Sequence, residues 1–533
     1  MLRVAVIGSG PSGVYTAQSL VEQQAVPDIE VYVLDRLPCP YGLVRYGVAP
    51  DHEKIKSLQS NLRRVLENPR VRFLGNVEVG TAGLGLEELR EMFHAVVFCV
   101  GAATDRHLGI PGEDLPGSHP ATDFVAWYSA HPDAAAIRFT LAARSALVVG
   151  VGNVAVDVAR ILARGAAELA ATDMPEGPLG ALADSRVEDI WMIGRRGPSQ
   201  AKFTTKELRE LGTVPGAEVL VRPEELALDP AYRDPGALPA AARRNVEVLR
   251  GWAERSTLQG AAREPTAAEP TAAAGTGRPR RIHLRFFLRP VEMLGDAASG
   301  VRVVRFERTA PDGLGGVVGT GVFEDIEAQL VLRSVGYRGK PQAGLPFDEK
   351  GGTVPHLAGR VLLPDGTPHP GAYVAGWIKR GPTGVIGTNR PCAKETAASL
   401  LEDATTLTGH EVADDPVEAL RRAGQQPVPW TGWLGIEAAE AAWGHQLGRG
   451  TVKLPDWEGL LGAAGAAGTV DTVSAAGTAR TARTAVAAVA GAAGPADAGA
   501  TGSAGTAESA GTAGAADSAG APGTSSAGAG TAG

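Results

Sequence analysis

No stretch constrains the fold of this chain more than Arg3-Val-Ala-Val-Ile-Gly-Ser-Gly-Pro-Ser-Gly-Val-Tyr-Thr-Ala-Gln-Ser-Leu20. The apolar run Val4 to Ile7 reads as a buried strand. It breaks at Gly8-Ser9-Gly10-Pro11-Ser12-Gly13 and passes into a helical pattern with Val14, Ala17 and Leu20 on one face. A strand, a tight glycine turn and a helix start form the context that a dinucleotide fingerprint requires. Gly8 permits the sharp turn, Gly10 lets a pyrophosphate approach the backbone, and Gly13 lets the helix pack close to the strand. The unpaired N–H groups and positive dipole end of the helix then face the phosphates, with Ser12 in that first turn. Pro11 fits the first helical position, where a missing N–H costs nothing. Val31-Tyr-Val-Leu-Asp35 reads as the next strand, ending in an acid where a ribose hydroxyl would be bound.

A second unit of the same kind follows at Ser145-Ala-Leu-Val-Val-Gly-Val-Gly152-Asn153-Val154-Ala155, running on as a helical pattern to Leu162. Ala155 takes the third glycine's place, which its packing role allows. The next strand, Ile190 to Gly194, ends in Arg195 and Arg196 instead of an acid. Guanidinium groups there suit a ribose 2′-phosphate through charge-assisted bidentate bonds, so this site predicts NADP(H). Asp35 would repel such a phosphate, which leaves FAD for the first site.

With 533 residues the chain has length for two or more domains. A net charge of −8 argues against nucleic acid as a bulk partner. No apolar run reaches the length of a membrane helix, and a strand beginning at residue 2 leaves no room for a signal peptide, so a cytoplasmic location is expected. Cys39, Cys99 and Cys392 form no CxxC pair, which excludes a cysteine-pair redox step and an iron–sulfur or zinc framework in the chain itself.

Residues 36–50 hold three prolines and two glycines, which predicts an ordered loop without regular structure. Asp51 is expected to N-cap a helix running through Ile55, Leu58, Leu62 and Leu66, with His52 in its first turn. Strands are expected over Val71–Val79, Ala95–Ala102, His283–Leu288 and Gln329–Gly336. Residues 253–281 read as an Ala/Pro/Thr/Gly-rich surface excursion. It is flanked by Arg243, Arg244, Arg250, Arg278, Arg280, Arg281, Arg285 and Arg289, a distribution suited to steering an acidic partner. A late strand, Ala372 to Gly376, feeds a glycine-started helix, with Trp377 at the junction. From about Gly462 the Ala/Gly/Thr/Ser composition predicts a disordered tail.

Six motifs carry a family resemblance: Gly-Ser-Gly-Pro-Ser-Gly-Val-Tyr-Thr-Ala-Gln (8–18), Tyr-Gly-Leu-Val-Arg-Tyr-Gly-Val-Ala-Pro-Asp-His (41–52), Gly-Asn-Val-Ala-Val-Asp-Val-Ala-Arg (152–160), Gly-Arg-Arg-Gly-Pro (194–198), Phe-Thr-Thr-Lys-Glu-Leu-Arg-Glu (203–210) and Gly-Trp-Ile-Lys-Arg-Gly-Pro-Thr-Gly-Val-Ile-Gly-Thr-Asn (376–389). The chain resembles the adrenodoxin-reductase-type ferredoxin–NADP reductases from residue 2 to about 455. The resemblance implies an α/β fold of two interlocked Rossmann-like dinucleotide-binding domains: a discontinuous FAD domain (1–105 and 325–460), an NADP domain (106–324) and a disordered tail (461–533).

It also implies roles. Gly8, Gly10, Ser12, Gly13, Asp35, Leu43 and Val79 would lie along the FAD, with Trp377 and the Gly384-Val385-Ile386 turn at its flavin. Gly152, Asn153, Val154 and Ala155 would form the NADP pyrophosphate turn, Arg195 and Arg196 would take the 2′-phosphate, and Glu207 would add a contact. His52 and Glu210 match the histidine and glutamate beside the nicotinamide in such enzymes. Pro391-Cys392 stands where prokaryotic relatives tend to carry an acid.

The activity implied is hydride transfer from NADPH to FAD, then single electrons to an acidic, ferredoxin-type iron–sulfur carrier docked near Arg243 and Arg244. Alternatives sharing these features are an NADPH-dependent flavin monooxygenase and a non-catalytic NADPH-sensing flavoprotein. A glutamate-synthase small-subunit-like protein would need an N-terminal cysteine-rich domain, which is missing.

Overall fold

β1 (Leu2–Ile7), β2 (Ile29–Leu34), β3 (Val71–Gly75) and β4 (Ala95–Phe98) pair in parallel, with β2 between β1 and β3 and with β4 on the other side of β1. Their near-continuous apolar sequences follow from burial on both faces. The structure, a computed structural model, describes residues 1–102, 104–262 and 279–473, excluding the side chains of 258–262 and 467–473.

The chain leaves this sheet through β5 (Thr104–Asp105) and builds a second, parallel one from β6 (Ser118–Pro120), β7 (Ser145–Val149), β8 (Asp189–Ile193), β9 (Ala217–Val221) and β10 (Arg280–Arg285). An antiparallel sheet of β11 (Leu288–Asp296), β12 (Gly300–Pro311) and β13 (Val317–Glu327) follows. β14 (Leu330–Arg333) then inserts between β6 and β7, and β15 (Tyr337–Arg338) pairs with β5 in a two-stranded ribbon. β16 (His356–Leu357), β17 (Arg360–Leu362) and β18 (Pro368–Val374) extend the first sheet beyond β4, and β19 (Val428–Pro429) joins β3 at its other edge.

The two large sheets are covered differently. On the first, the helices Pro11–Glu22, Asn389–Glu402, Trp430–Gln446 and Trp457–Val473 cover one face, burying Val14, Leu20, Leu400, Trp433, Ile436 and Leu460. Leu86, Leu89 and Ile378 cover the other face. On the second sheet, the helices Asn153–Ala163, Thr205–Leu211 and Ala240–Ala262 take one face, and the β11–β13 sheet packs on the other through Met293, Val304 and Phe306.

Several expectations need correction. β14 belongs to the second sheet, so the boundary expected at 324/325 falls inside that sheet's own strands. A fully buried apolar strand carries no mark of which sheet it will enter, because both offer the same parallel ladder. The expected tail begins later than 461: the helix Trp457–Val473 buries Leu460, Ala463 and Ala464, and residues 474–533 lie outside the described residues. Small side chains let that helix lie close to its neighbour, a mode of burial that a count of large apolar residues misses.

The helix Ala240–Ala262 runs ten residues into the expected 253–281 excursion, of which 263–278 lie outside the described residues. Within the expected loop 36–50, Leu43–Tyr46 form one helical turn. The helix expected from Asp51 is two, Glu53–Lys56 and Leu58–Leu66, and Asp51 caps neither.

One buried ion pair fastens this N-terminal segment to the C-terminal helices. Arg45 donates to Glu440 Oε1 at 2.5 Å, and the same oxygen accepts from the Leu454 N–H at 2.9 Å. The Arg45 guanidinium also lies over the rings of Tyr46 and Trp433, at 4.9 and 5.1 Å from their centroids. Nearby, buried Lys453 donates to the carbonyls of Arg45 (2.6 Å) and Ser129 (3.2 Å), which joins three distant stretches of chain. Glu440→Ala would leave Arg45 charged and unpaired in the core, so a loss of about 3–5 kcal/mol is expected in denaturant unfolding. A loss below about 1 kcal/mol would show that water reaches the pair.

Candidate functional site

The first glycine turn leaves β1 with Gly8 at φ +105°, and a Cβ there would stand 2.7 Å from the Cys99 carbonyl oxygen. A Cβ on Gly13 would stand 1.8 Å from the Gly8 carbonyl oxygen, so the helix approaches the strand as closely as glycine allows. The helix start at Gly10 has no side-chain cap, and the buried Ser12 Oγ has no hydrogen-bond partner. Two segments close over this turn. Tyr41 N donates to Ser9 O at 3.1 Å, and a Cβ on Gly42 would stand 2.9 Å from Gly10 Cα. From the far end of the chain, a Cβ on Gly376 would stand 2.4 Å from Ser12 Oγ. Uncapped N–H groups, an unpartnered hydroxyl and bare glycine backbone together fit a dinucleotide pyrophosphate.

Asp35 follows β2, with its carboxylate largely engaged. Oδ2 accepts from Ser9 N (2.7 Å) and Ser9 Oγ (2.6 Å), and Oδ1 accepts from Leu37 N (2.9 Å). Burial raises its pKa above the usual carboxylate value, against the lowering effect of those bonds. Beside this turn Leu43 is exposed and Val79 is half-buried.

The second turn repeats the geometry. Gly150 has φ +144°, and a Cβ there would stand 2.2 Å from Ser334 O. Gly152, the uncapped start of the helix Asn153–Ala163, has open space where a Cβ would point. Asn153 spends its carbonyl on Thr204 N (2.8 Å), Val154 is half-buried and Ala155 is fully buried. At the end of β8, Arg195 is exposed and Arg196 half-buried, and neither guanidinium has a hydrogen bond or ion pair among the described residues. Glu207 is buried on the helix Thr205–Leu211, capped by Thr204.

Between the turns lies a cluster of charged groups. His52 Nε2 is 2.9 Å from Asp157 Oδ1 and 2.7 Å from Arg160 Nη2, and its Nδ1 is 3.6 Å from Glu210 Oε2. Arg160, 1% exposed, donates from Nη1 to Glu210 (2.7 Å), and its Nη2 lies 3.0 Å from both Asp51 Oδ1 and Asp157 Oδ1. Arg164 Nε holds the other Asp51 oxygen at 3.0 Å. The structure therefore brings His52 and Glu210 together and adds Asp51, Asp157 and Arg160. Asp157 and Arg160 had a signal: two charged residues one turn apart on a fingerprint helix that is otherwise apolar from Val154 to Leu162.

Trp377 lies at the start of the short helix Trp377–Arg380, its ring stacked on Tyr337 at 5.5 Å between centroids. Gly384 has φ +82°, Val385 is exposed and Ile386 half-buried. Where relatives tend to carry an acid, the buried Cys392 accepts from Gly376 N through its sulfur at 3.2 Å. All three cysteines are free, and burial pushes the Cys39 thiol up to about 11 and Cys99 to about 12, so both stay protonated at neutral pH.

Most of the flagged arginines are occupied. Arg250 bonds Tyr232 O, Arg280 bonds the Leu162 and Arg164 carbonyls, Arg281 pairs with Asp189, Arg285 with Glu225 and Glu324, and Arg289 with Glu307. Arg243 and Arg244 are exposed, with no side-chain partner among the described residues. Arg278 lies outside them. No helix of the described residues is long and apolar enough to cross a membrane.

A family model described as pyridine nucleotide-disulphide oxidoreductase matches residues 2–192. The chain is 42% identical over 471 residues to NADPH-ferredoxin reductase FprA of Mycobacterium tuberculosis, covering 86% of this chain and 98% of that protein. It is 38% identical over 469 residues to the mitochondrial NADPH:adrenodoxin oxidoreductase of Homo sapiens, covering 86% and 91%. The solved structure of Mycobacterium tuberculosis FprA in complex with NADPH matches with a TM-score of 0.77 at 41% identity, over 87% of this chain and 99% of that one.

The glycine geometry separates packing from ligand approach. Gly13→Ala should cost at least about 2 kcal/mol in unfolding, because neither the Gly8 carbonyl nor the helix can give way cheaply. Gly152→Ala should leave stability within about 0.5 kcal/mol yet weaken dinucleotide binding in a titration. Equal destabilisation by both would contradict this division.

Proposed function

The chain belongs to the adrenodoxin-reductase-type NADPH–ferredoxin reductases, and we infer from that membership that it is an NADPH:ferredoxin oxidoreductase. It uses FAD and NADPH, and its partner is an iron–sulfur protein of the ferredoxin or adrenodoxin kind. Bound FAD accepts a hydride from NADPH and passes the electrons on singly. The chain's own residues bind, orient and exclude water, and no nucleophile is required.

We assign the first turn, Gly8 to Gly13, to FAD, and the second, Gly152 to Ala155, to NADPH. Two observations support the division: Asp35 at the end of the first unit and the unpartnered Arg195 and Arg196 at the end of the second. Asp35 is assigned both to bracing the Ser9–Leu37 turn and, with its remaining lone-pair capacity, to the ribose. Leu43, Val79, Trp377 and the Gly384–Ile386 turn are assigned to the FAD, a role that the exposed apolar Leu43 and Val385 favour. Glu207 is assigned to NADPH.

The observation that carries the reading concerns one segment. Tyr41 and Gly42 touch the first turn, and His52, at the segment's other end, is bonded to the helix of the second. A histidine so held, with Glu210 beside it, is suited to line the space where the two reacting rings meet, and both are assigned there. We further propose that the first sheet, built from residues 1–98 and 356–429, is the FAD domain, and the second sheet the NADP domain. Arg243 and Arg244 are assigned to docking the acidic partner, as the members of the arginine set with no internal partner.

Arg195→Ala with Arg196→Ala should raise the KM for NADPH roughly tenfold to a hundredfold, the worth of charge-assisted bonds to a phosphate, with little change for NADH. Equal losses with both nucleotides would remove the 2′-phosphate assignment. Arg243→Ala with Arg244→Ala should raise the KM for a ferredoxin at low ionic strength and flatten its salt dependence. An unaltered salt dependence would place the docking face elsewhere.

A further inference from the structure

Around His52 the hydrogen-bonding protons can be counted, and the count selects a tautomer. Arg160 Nη2 carries two protons and has three neighbours within bonding range: Asp51 Oδ1 (3.0 Å), Asp157 Oδ1 (3.0 Å) and His52 Nε2 (2.7 Å). The rest of the guanidinium cannot supply the difference. Nη1 is given to Glu210, and the buried Nε has no acceptor. A guanidinium never gives up its protons, and a carboxylate never donates.

If the neutral imidazole carried its proton on Nδ1, the bare Nε2 would compete with two carboxylates for two protons. One contact would then fail, and the Nε2 lone pair would face the Asp157 oxygen at 2.9 Å. With the proton on Nε2 the count closes. Arg160 donates to Asp51 and Asp157, His52 donates to Asp157, and the 2.7 Å between Nη2 and Nε2 is the spacing of two donors converging on one oxygen. Unmet contacts of buried groups cost more than made ones return, so the closed arrangement wins.

We propose that Asp157 and Arg160 are positioning residues that hold His52 in the tautomer protonated on Nε2, leaving Nδ1, on the Glu210 side, as the nitrogen where a proton is gained and lost. Nδ1 lies 3.6 Å from Glu210 Oε2, too far for a direct bond, so a lone pair faces a carboxylate across a gap. A proton added there is stabilised by Asp157 on one side of the ring and Glu210 on the other. The remaining groups hold this frame. Arg164 fixes Asp51, Lys206 lies 3.5 Å from the other Glu210 oxygen, and burial raises the Tyr128 hydroxyl well above its ordinary range, so it keeps its proton. The catalytic meaning of Nδ1 rests on the assignment of His52 and Glu210 to the reacting centre; the tautomer itself does not.

The test is magnetic resonance of the oxidised FAD holoenzyme, without nucleotide, carrying isotope-labelled histidine. Long-range proton–nitrogen correlations report which ring nitrogen bears the proton, and the His52 signals are identified by their loss in His52→Gln. The expected wild-type spectrum shows neutral His52 protonated on Nε2 alone, and in Asp157→Asn the Nδ1-protonated form appears beside it. A wild-type ring protonated on Nδ1, or an Asp157→Asn spectrum identical to wild type, would overturn the proposal. Should Asp157→Asn fail to fold, the wild-type spectrum still decides. Because no NADPH or ferredoxin is present, either result leaves the oxidoreductase assignment to be judged by turnover.

Discussion

The Arg160 guanidinium is the interaction on which the arrangement of the two glycine turns depends. It is 1% exposed, and removing such a charge from water costs several kcal/mol unless its bonds are made. The bonds come from three directions: Asp51 and His52 at the end of the segment that closes over the first turn, Asp157 on Arg160's own helix, and Glu210 on the next. Satisfying one buried cation therefore requires the segment 41–52 and both helices to meet at a single point. The same segment is held at its other half by the buried Arg45–Glu440 pair, so it is anchored at both ends by ions that cannot be released cheaply.

The two turns are almost the same object in backbone terms and differ in their charged side chains. Each has a positive-φ glycine whose Cβ would strike a carbonyl, Cys99 for Gly8 and Ser334 for Gly150, and each starts an uncapped helix. The difference lies one strand later. Asp35 turns inward and braces Ser9 and Leu37, whereas Arg195 and Arg196 have no internal partner. Charges left unpaired at the mouth of a pyrophosphate site are available to a further phosphate, and a carboxylate there works against one.

Local patterns were legible in the sequence where a single stretch determines its own structure. Both strand–turn–helix units form at the residues expected, β1 and β7 feeding helices that begin after Gly10 and Gly152. What could not be read is partner choice over distance. Asp51 looks like a helix cap because only its neighbours in sequence are visible, while its carboxylate bonds to Arg160 and Arg164, more than a hundred residues away. The arginines near 280 look like a basic face until their acids arrive from elsewhere, Glu225 and Glu324 for Arg285, Asp189 for Arg281. The same limit hid the insertion of β14 into the second sheet and the packing of the alanine-rich helix beyond Gly462.

Electron flow from NADPH through the flavin to an iron–sulfur protein is tested most directly by an anaerobic titration of the purified holoprotein. The visible flavin band is followed as NADPH, or NADH in parallel, is added, and an oxidised ferredoxin is then introduced. The expected result is bleaching by stoichiometric NADPH, far less readily by NADH, and recovery of the band as the ferredoxin becomes reduced. A band that bleaches but recovers only on admitting oxygen, leaving every ferredoxin tried oxidised, would contradict it.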